Sequence, residues 1–387
     1  MFIDNYLFCC LSQEMQQEIK TDIDRGVSDT VYKNQKNLIE EKRGYRCNNC
    51  GKFYPFLTVE YQNKIITPEA IPKIKRKPLK NKKASDIFCV DHYYAQNKRT
   101  IQKYELSADG SAHLTDEIPS SVDLLYAAVS RDDRYIVIEN FNGTIEIVDT
   151  NTKASVVKKK NKKIHGAFIF SEDNELLYFE SYAIKKRNFN EGTESVVWSV
   201  PREWIRSQDG EDSPCVCNNI IYNCANDTYL FQFAVKIKTY AVFIKDKKTI
   251  KTVRLPKIPS LCKLVYNKEL KLYTYSSEDQ IYICDENFET IEAFSYPTLT
   301  SISSGGGWFP ITRHNAFYPH RTFISPDGRW ILLDCFNYIF LMDHKDYTLK
   351  HCIYSYNGNA ATRMGFLDSD RFWYTWGNST YIQEIDE

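Results

Sequence analysis

The sequence predicts an all-β fold built from seven similar units. Two observations carry this prediction: a two-part signature recurs along the chain, and its copies are spaced by about 40 to 50 residues. The composition agrees with it, because 27 Tyr, 22 Phe and 6 Trp in 387 residues supply ample material for packed, strand-rich cores.

The signature consists of a small polar turn before one apolar strand and an acidic residue that ends the next strand. Its clearest copy is the turn Ser325-Pro326-Asp327-Gly328, followed by an apolar run over 330–333 and a second run that ends at Asp343. Two further copies run from Ser130 to Asp149 and from Asn267 to Asp285, and all three span 18 or 19 residues. Asp in such turns bonds to its own backbone, which is a sufficient structural reason for its presence.

Weaker copies bring the total to seven units, whose acidic ends lie at Glu105, Asp149, a position near 198, Asp246, Asp285, Asp343 and Asp386. Four short strands per unit at this period are typical of propeller blades, because each sheet must stack its two apolar faces on neighbours. Short Tyr, Phe, Ile and Val runs punctuated by Asp, Asn and Gly disfavour helical repeats. We therefore predict a seven-bladed β-propeller with a small α-helical or irregular N-terminal extension, with six or eight blades as alternatives.

These motifs, above all Ser325-Pro326-Asp327-Gly328 and the Asp-terminated strands, resemble those of the WD-repeat and quinoprotein-like propeller superfamily over about residues 84–387. The resemblance is architectural, because the Gly-His and Trp-Asp pairs of a true WD repeat do not recur here. It implies a fold and a habit of binding, and no residue-level function.

The predicted domains are an N-terminal extension over residues 1–50, with helices and a Cys-x-x-Cys turn, and a propeller over 51–387. Met15, Ile19 and Ile23 are spaced as on a helix.

The last unit ends after its third strand, so we expect an N-terminal segment to supply the fourth strand and protect the edge. Residues 53–62 are the first candidate for this strand and residues 2–8 the second.

Charge and cysteine content indicate which partners and which cellular compartment suit the chain. Fifty basic residues balance fifty acidic ones, so the chain has no global field for nucleic acid or an anionic membrane. The 12 cysteines are scattered through strand-like runs, which favours buried thiols over a disulfide framework. With no signal peptide or membrane span expected, we predict a cytoplasmic protein.

Two long connections, over residues 201–218 and 297–320, predict a partner-binding face of the disc. The candidate contact residues are Arg202, Trp204, Arg206, Trp308, Arg313 and His314. The basic run at 158–163 is expected on the same face, and residues 71–83 form a second basic run, interpreted as a solvated loop or an acidic-partner contact. In the alternative interpretation, the two tryptophans pack into the disc and the lysines protect an edge strand.

Cys47-Asn48-Asn49-Cys50-Gly51 resembles half of a zinc ribbon, because two thiolates three residues apart can reach one tetrahedral ion. Cys89 and His92 are the nearest candidates for the other half. A structural zinc ion is the only cofactor that the sequence suggests, and a pair of reduced structural thiols is the alternative.

No nucleophile elbow, phosphate-binding loop or zinc-protease helix is recognisable in the sequence. We therefore favour a non-catalytic scaffold that binds a protein or peptide through its loop-bearing face. The alternatives are a propeller enzyme acting on a small molecule in a central channel, and a nucleic-acid-associated protein that uses the Cys47–Cys50 knuckle and the basic run; nucleic acid is the less favoured partner.

Overall fold

A computed structural model describes the fold as all-β. The described residues are 17, 21, 38–41, 44–55, 57–62, 64–66, 77–78, 87–88, 92–97, 100–107, 112–121, 126–140, 143–160, 168–171, 173–205, 215–223, 227–235, 238–255, 262–303, 312–315, 319–335, 338–354, 361–376 and 379–385. A single one-turn helix with defined bounds, α1 (Arg202–Ile205), lies within these ranges. No helix in them is long and apolar enough to cross a membrane.

Contacts between residues divide the chain into two compact units, at points other than the predicted boundary at residue 50. Unit 1 comprises Met1–Lys73, Ser295–Tyr318 and Leu349–Cys352. It contains a three-stranded sheet in the order β1 (Leu38–Glu41), β2 (Gly44–Cys47), β3 (Phe53–Pro55). Its second sheet, the hairpin sheet, has the order β28 (Thr312–Asn315), β27 (Thr298–Ser303), β4 (Leu57–Tyr61), β5 (Lys64–Ile66).

Unit 2 comprises Ile74–Phe294, Pro319–Thr348 and Ile353–Glu387. Seven antiparallel sheets of four strands, numbered here in chain order, belong to it, except that Leu349–Cys352 of the fourth strand of the sixth sheet are grouped with unit 1. The first three sheets contain β7 (Ile87–Phe88), β8 (His92–Asn97), β9 (Thr100–Leu106) and β10 (Ala112–Pro119); β11 (Tyr126–Val129), β12 (Tyr135–Glu139), β13 (Thr144–Asp149) and β14 (Ala154–Lys160); and β15 (Phe168–Phe170), β16 (Leu176–Glu180), β17 (Ala183–Asn188) and β18 (Thr193–Ser199).

The remaining four sheets follow the same meander. They contain β19 (Cys215–Asn223), β20 (Thr228–Val235), β21 (Lys238–Lys245) and β22 (Lys248–Leu255); β23 (Val265–Asn267), β24 (Leu272–Ser276), β25 (Ile281–Cys284) and β26 (Thr290–Phe294); β29 (Arg321–Ile324), β30 (Trp330–Asp334), β31 (Tyr338–Asp343) and β32 (Leu349–Tyr354); and β33 (Ala361–Phe366), β34 (Arg371–Trp376), β35 (Ser379–Glu384) and β6 (Lys77–Pro78). The expected repeat of small sheets is therefore present.

Several of the second and third strands of these sheets are buried on both faces. Every residue of β12 and of β30 is buried, as are the first five residues of β31. The fourth strands are mostly exposed, as in β22 and in the first half of β18. Two-sided burial of the middle strands requires an apolar neighbour on each face of a sheet.

The sheets pack on one another in chain order. Four buried clusters join neighbouring sheets. The first sheet packs on the second through Ile101, Ile118, Ile136 and Ile138, and the second on the third through Val137, Ile147, Phe168 and Leu176. The third packs on the fourth through Leu177, Phe179, Phe231 and Phe233, and the sixth on the seventh through Leu332, Ile339, Phe372 and Tyr374. The Phe243 and Tyr273 rings join the fourth sheet to the fifth, and Thr322 bonds with Ser276 across the fifth and sixth.

The seventh sheet packs on the first. Leu367 and Ile382 form a buried cluster against which Tyr104, Leu106 and Ala112 of the first sheet are packed. The order of sheet contacts is therefore cyclic.

The polar turns join the first and second strands of a sheet, as the sequence predicts. Ser325 Oγ donates to Asp327 Oδ1 at 2.6 Å and accepts from Trp330 N at 2.9 Å, while Gly328 takes a φ of 80°. The turn at Ser130 repeats the bonds, with 2.6 Å to Asp132 Oδ1 and 2.8 Å from Tyr135 N. Burial of Asp327 opposes its ionisation, but the bond from Ser325 and the bond from Arg329 N outweigh it and lower its pKa.

The acidic ends of the third strands cap the turn into the fourth strand. Asp149 Oδ1 accepts from Asn151 N at 2.9 Å and Thr152 N at 3.0 Å, and Asp285 Oδ1 accepts from two backbone amides in the same way. In the third sheet the predicted end near 198 is wrong, because β17 ends at Asn188, whose amide oxygen makes the equivalent bonds.

The fourth strands of the first five sheets each carry a one-residue bulge opposite the third strand. The bulged residues are Thr115, Val156, Val197, Ile250 and Ile291. Val156, Ile250 and Ile291 are about half exposed, at 47%, 57% and 54%. A bulge twists an edge strand and interrupts its hydrogen-bonding pattern, so these bulges protect aliphatic edges from pairing with other chains.

The fourth strand of the seventh sheet comes from the N-terminal side, but from a different segment than expected. Lys77 pairs with Ile382 and Pro78 with Tyr381, so part of the basic run supplies it. The assignment of residues 53–62 is wrong, because Leu57–Tyr61 is β4, which pairs with β27 and β5 in the hairpin sheet. Residues 2–8 lie outside the described part of the chain.

The predicted N-terminal helices are only partly described. Residues 17 and 21 are helical, and Thr21 Oγ1 donates to Gln17 O at 2.9 Å. Strands β1 and β2 occupy the end of the segment for which helices were expected.

We predict that Ser325→Ala lowers the free energy of unfolding by about 1 to 3 kcal/mol, because Ser325 is fully buried and its hydroxyl joins both sides of the turn. Urea unfolding measures the change. Ser195→Ala, at an exposed position of β18, is the matched control and should change stability by less than about 0.5 kcal/mol. Equal effects of the two substitutions would contradict the role given to the turn.

Candidate functional site

Unit 2 contains a cavity of about 650 Å³. Its lining comes from the first strands of six sheets and the residues beside them: Val129, Arg131, Ile169, Phe170, Ser171, Asn219, Ile220, Ile221, Tyr222, Lys263, Leu264, Val265, Tyr266, Arg321, Phe323 and Met364. Cavities of 300 to 1,000 Å³ are the usual size of ligand pockets. The first strands thus build one site from segments that are far apart in the sequence.

The charged part of this lining is basic. Arg131, Lys263 and Arg321 contribute positive charge from the second, fifth and sixth sheets, and none of the described lining residues is Asp or Glu. Behind Arg321 lies Asp334, which accepts from its Nε at 2.8 Å and its Nη2 at 2.6 Å. Asp334 is 1% exposed, so this ion pair fixes the guanidinium against the wall.

The backbone around Lys263 is held by buried amide side chains of the fourth sheet. Gln232, which is fully buried, donates to Cys262 O at 2.6 Å and accepts from Leu264 N at 2.9 Å. Asn219 Nδ2 donates to Leu264 O at 2.6 Å. The segment before β23 is therefore locked to β19 and β20.

The same segment is bound on its other side to the chain that enters β29. Lys263 N donates to His320 O at 2.7 Å, and His320 N donates to Asp334 O at 2.6 Å. Cys262 Sγ donates to Pro319 O at 3.2 Å. A continuous network of hydrogen bonds thus fixes the backbone of residues 262–264 and 319–320, which form one wall of the cavity. The Cα positions of Lys263 and Arg321 are fixed with it.

Several titratable groups in and beside the cavity stay neutral near pH 7. Burial, followed by the bond to Asp227, raises the pKa of Tyr222 above its ordinary value. Burial, followed by the charge of Asp334, raises the pKa of Cys262 to about 12. Burial lowers the pKa of His320 more than Asp334 raises it. The positive charge of the wall therefore comes from its lysine and arginines.

The residues predicted to bind a partner do not line this cavity. Trp204 lies on α1 and is half-buried, and its ring stacks on Tyr240 with centroids 4.9 Å apart and meets the edges of Trp198 and Phe233. It packs into the core, as in the alternative interpretation. Arg202 is exposed on the same helix, and Arg206 and Trp308 lie outside the described residues.

The second predicted binding loop is partly a hairpin. Arg313 and His314 lie in β28, opposite Ile302 and Ser301 of β27, and their side chains are not described. A run rich in β-branched and small residues, Thr298-Leu299-Thr300-Ser301-Ile302-Ser303, favours a strand over a loop here. In the first loop, β19 already begins at Cys215.

The basic run at 158–163 is also partly a strand. Lys158, Lys159 and Lys160 end β14, the outer strand of the second sheet, and pair with β13. Lys162 and Lys163 lie outside the described residues. Lysines on an edge strand oppose pairing with other chains.

The Cys-x-x-Cys turn forms the tip of the β2–β3 hairpin. Gly51 N donates to Cys47 O at 2.8 Å with a φ of 72°, Cys47 N donates to Lys52 O, and Cys47 is buried while Cys50 is exposed. Cys89 lies outside the described residues, and the side chain of His92 in β8 is not described. In the described part of the chain, no group of three or more His, Cys, Asp or Glu side chains could hold a metal ion. Zinc binding stays a prediction that elemental analysis of the purified protein tests.

Sequence reasoning offered a site in a central channel only as an alternative and identified none of the residues that line this cavity. Its charged residues Arg131, Lys263 and Arg321 lie one by one at or near the ends of different short strands. The packing of the sheets brings them together. The local signals that existed were the turn at Ser130–Asp133, which contains Arg131, and the position of Arg321 directly after the second predicted loop. Comparisons of the chain with models of protein families and with curated proteins find no match.

We predict that Trp204→Ala lowers the free energy of unfolding by roughly 2 to 4 kcal/mol, because it removes a ring packed between Trp198 and Tyr240. Arg202→Ala on the same helix, at an exposed position, should change it by less than about 0.5 kcal/mol. Chemical denaturation of both variants provides the measurement. An unchanged stability of the Trp204→Ala protein would contradict a structural role for this ring.

Proposed function

We propose that unit 2 is a seven-bladed β-propeller closed by β6. Three features support this: seven four-stranded meanders, the cyclic order of their packing, and a cavity lined by their first strands. In a propeller the first strand of every blade borders the central channel, and the fourth strand forms the outer edge. The exposed, bulged fourth strands agree with this arrangement.

We further propose that this propeller is a non-catalytic scaffold that binds a protein or peptide partner at the cavity. The observation that carries the proposal is the lining, in which Arg131, Lys263 and Arg321 occur together with half-buried Phe170, Tyr266 and Phe323. Aromatic and arginine side chains on a rigid backbone are the usual anchors of recognition. We therefore propose this site, in place of the predicted loops, as the binding surface.

The chemistry of the lining favours binding over catalysis. General acid–base catalysis needs a group whose pKa lies near the working pH. The raised pKa of Tyr222 keeps its phenol protonated near neutral pH. The thiol of Cys262 is protonated and donates to a carbonyl, so it is a poor nucleophile.

A small-molecule function at the same cavity is the second candidate. The observation that favours it is the volume, about 650 Å³, which matches pockets for drug-sized ligands. The nucleic-acid hypothesis has less support. The described lysines of the two basic runs, Lys77 and Lys158–Lys160, lie in strands β6 and β14, whose backbones pair with neighbouring strands.

The test compares two tryptophan variants of the full chain. Val265→Trp places bulk in the cavity at a half-buried position, while Ile250→Trp places the same bulk on an exposed outer strand. After affinity purification from the native cell, we expect mass spectrometry to identify proteins that accompany the wild type and Ile250→Trp but are lost from Val265→Trp. Both variants should keep the melting temperature of the wild type within a few degrees.

Retention of every co-purifying protein by a folded Val265→Trp variant would contradict the scaffold proposal. Release of a small molecule from the denatured wild-type protein, absent from Val265→Trp, would support the second candidate in its place.

A further inference from the structure

Two neighbouring outer strands carry the most exposed large apolar side chains of the described residues. Ile250 in β22 is 57% exposed, and Ile291 in β26 is 54% exposed. Each is the residue that a bulge adds to the fourth strand of its sheet, so the two occupy equivalent positions in consecutive sheets. Aliphatic surface in water is unfavourable, and a contact that covers both side chains removes it from water.

The fourth and fifth sheets hold these two strands side by side. Lys251, the residue after Ile250, donates from Nζ to Glu289 Oε1 at 2.7 Å and to Asn287 O at 2.9 Å, just before β26 begins. The ring contact between the two sheets lies in the same junction. Ile250 and Ile291 therefore belong to one continuous surface.

The charges on the two strands have opposite signs. Strand β22 contains three basic residues and no acidic one, whereas residues 285–292, which turn into β26, contain four acidic residues and no basic one. Lys248 and Glu286 are both exposed and take no part in the ion pair between Lys251 and Glu289. The surface thus has a basic half and an acidic half, each with one aliphatic side chain. We name it the β22–β26 patch and define it by Lys248, Ile250, Glu286, Glu289 and Ile291.

A patch of this composition is complementary to itself. In a dimer with two-fold symmetry, both copies use the same surface and each contact occurs twice. A two-fold axis that runs parallel to the strands and between them places β22 of one copy opposite β26 of the other. Ile250 then meets Ile291 of the partner subunit, and Lys248 lies at the same end of the contact as the partner's Glu286.

The bulges determine what kind of contact the patch can make. They interrupt the hydrogen-bonding edges of β22 and β26, so the addition of a strand from another chain is disfavoured. They also leave the side chains of Ile250 and Ile291 exposed. A second copy is therefore bound through side chains and not by extension of a sheet.

We propose that the β22–β26 patch is a self-association surface through which two copies of the chain form a symmetric dimer. The patch is separate from the cavity, because none of its five residues lines it. The inference goes beyond the scaffold function and does not depend on it.

Sedimentation velocity of the full-length protein, from about 1 to 200 µM, measures the association. Small interfaces associate weakly, so we expect a monomer–dimer equilibrium with a Kd of about 10 to 100 µM. Ile291→Ser removes an exposed aliphatic side chain and should weaken the dimer at least about tenfold. Val156→Ser removes a side chain that is 47% exposed on the second sheet, so it is the matched control and should leave the Kd unchanged.

A charge exchange tests the orientation of the contact. Lys248→Glu brings like charges together in the dimer and should weaken it about three- to tenfold, and Glu286→Lys should do the same. The double variant restores opposite charges across the two-fold axis, so its Kd should return to within about threefold of the wild type. Lys238→Glu makes the same change of charge at an exposed position at the other end of the fourth sheet and should have no effect.

A monomer at every concentration, or equal weakening by Ile291→Ser and Val156→Ser, would overturn the proposal. A double charge variant that stays as weak as the single ones would contradict the two-fold arrangement. A different protein that co-purifies with a monomeric wild type and is lost from Ile291→Ser would assign the patch to that protein instead. Ile250→Trp should change self-association without releasing proteins bound at the cavity, so this proposal and the scaffold function can fail separately.

Discussion

The burial of middle strands on both faces of their sheets is the constraint on which unit 2 depends. Strands such as β12 and β30 are buried throughout and apolar up to their last residues, Glu139 and Asp334, so a sheet exposed on either side would place apolar surface in water. A linear stack would leave its two end sheets exposed. The cluster around Leu367 and Ile382, packed on residues of the first sheet, removes that exposure by joining the last sheet to the first.

This constraint also decides where a site can form. Because buried middle strands such as β12 and β30 are committed to packing, the first strands are free to supply the side chains that line the cavity. The fourth strands carry bulges and exposed aliphatic residues, which protect edges. The first strands converge on the cavity, and buried amides such as Gln232 fix the backbone between them. The basic residues of the lining, Arg131, Lys263 and Arg321, therefore lie near one another because the packing of the sheets brings their first strands together.

The local parts of the fold could be predicted from the sequence, and the long-range parts could not. The turn at Ser325 and the cap at Asp149 depend on side chains that bond to the backbone a few residues away. Their motifs can therefore be recognised in the sequence. The closing strand is only Lys77–Pro78, inside a basic run with no alternation of apolar residues, and nothing local marks its pairing with β35. The packing of Trp204 could not be predicted either, because its neighbours Phe233 and Tyr240 come from strands further along the chain. The cavity combines residues from six sheets, none of which is conspicuous alone.

A double-mutant cycle across the junction between the seventh and first sheets would show whether these sheets support each other. The cycle combines Ile382→Ala with Leu106→Ala, whose side chains belong to the same cluster, and measures unfolding in urea. We expect a coupling energy of about 0.5 to 3 kcal/mol. Additive effects, equal to those of Ile382→Ala combined with the distant Ile250→Ala, would show that the two sheets do not support each other and would contradict the cyclic arrangement.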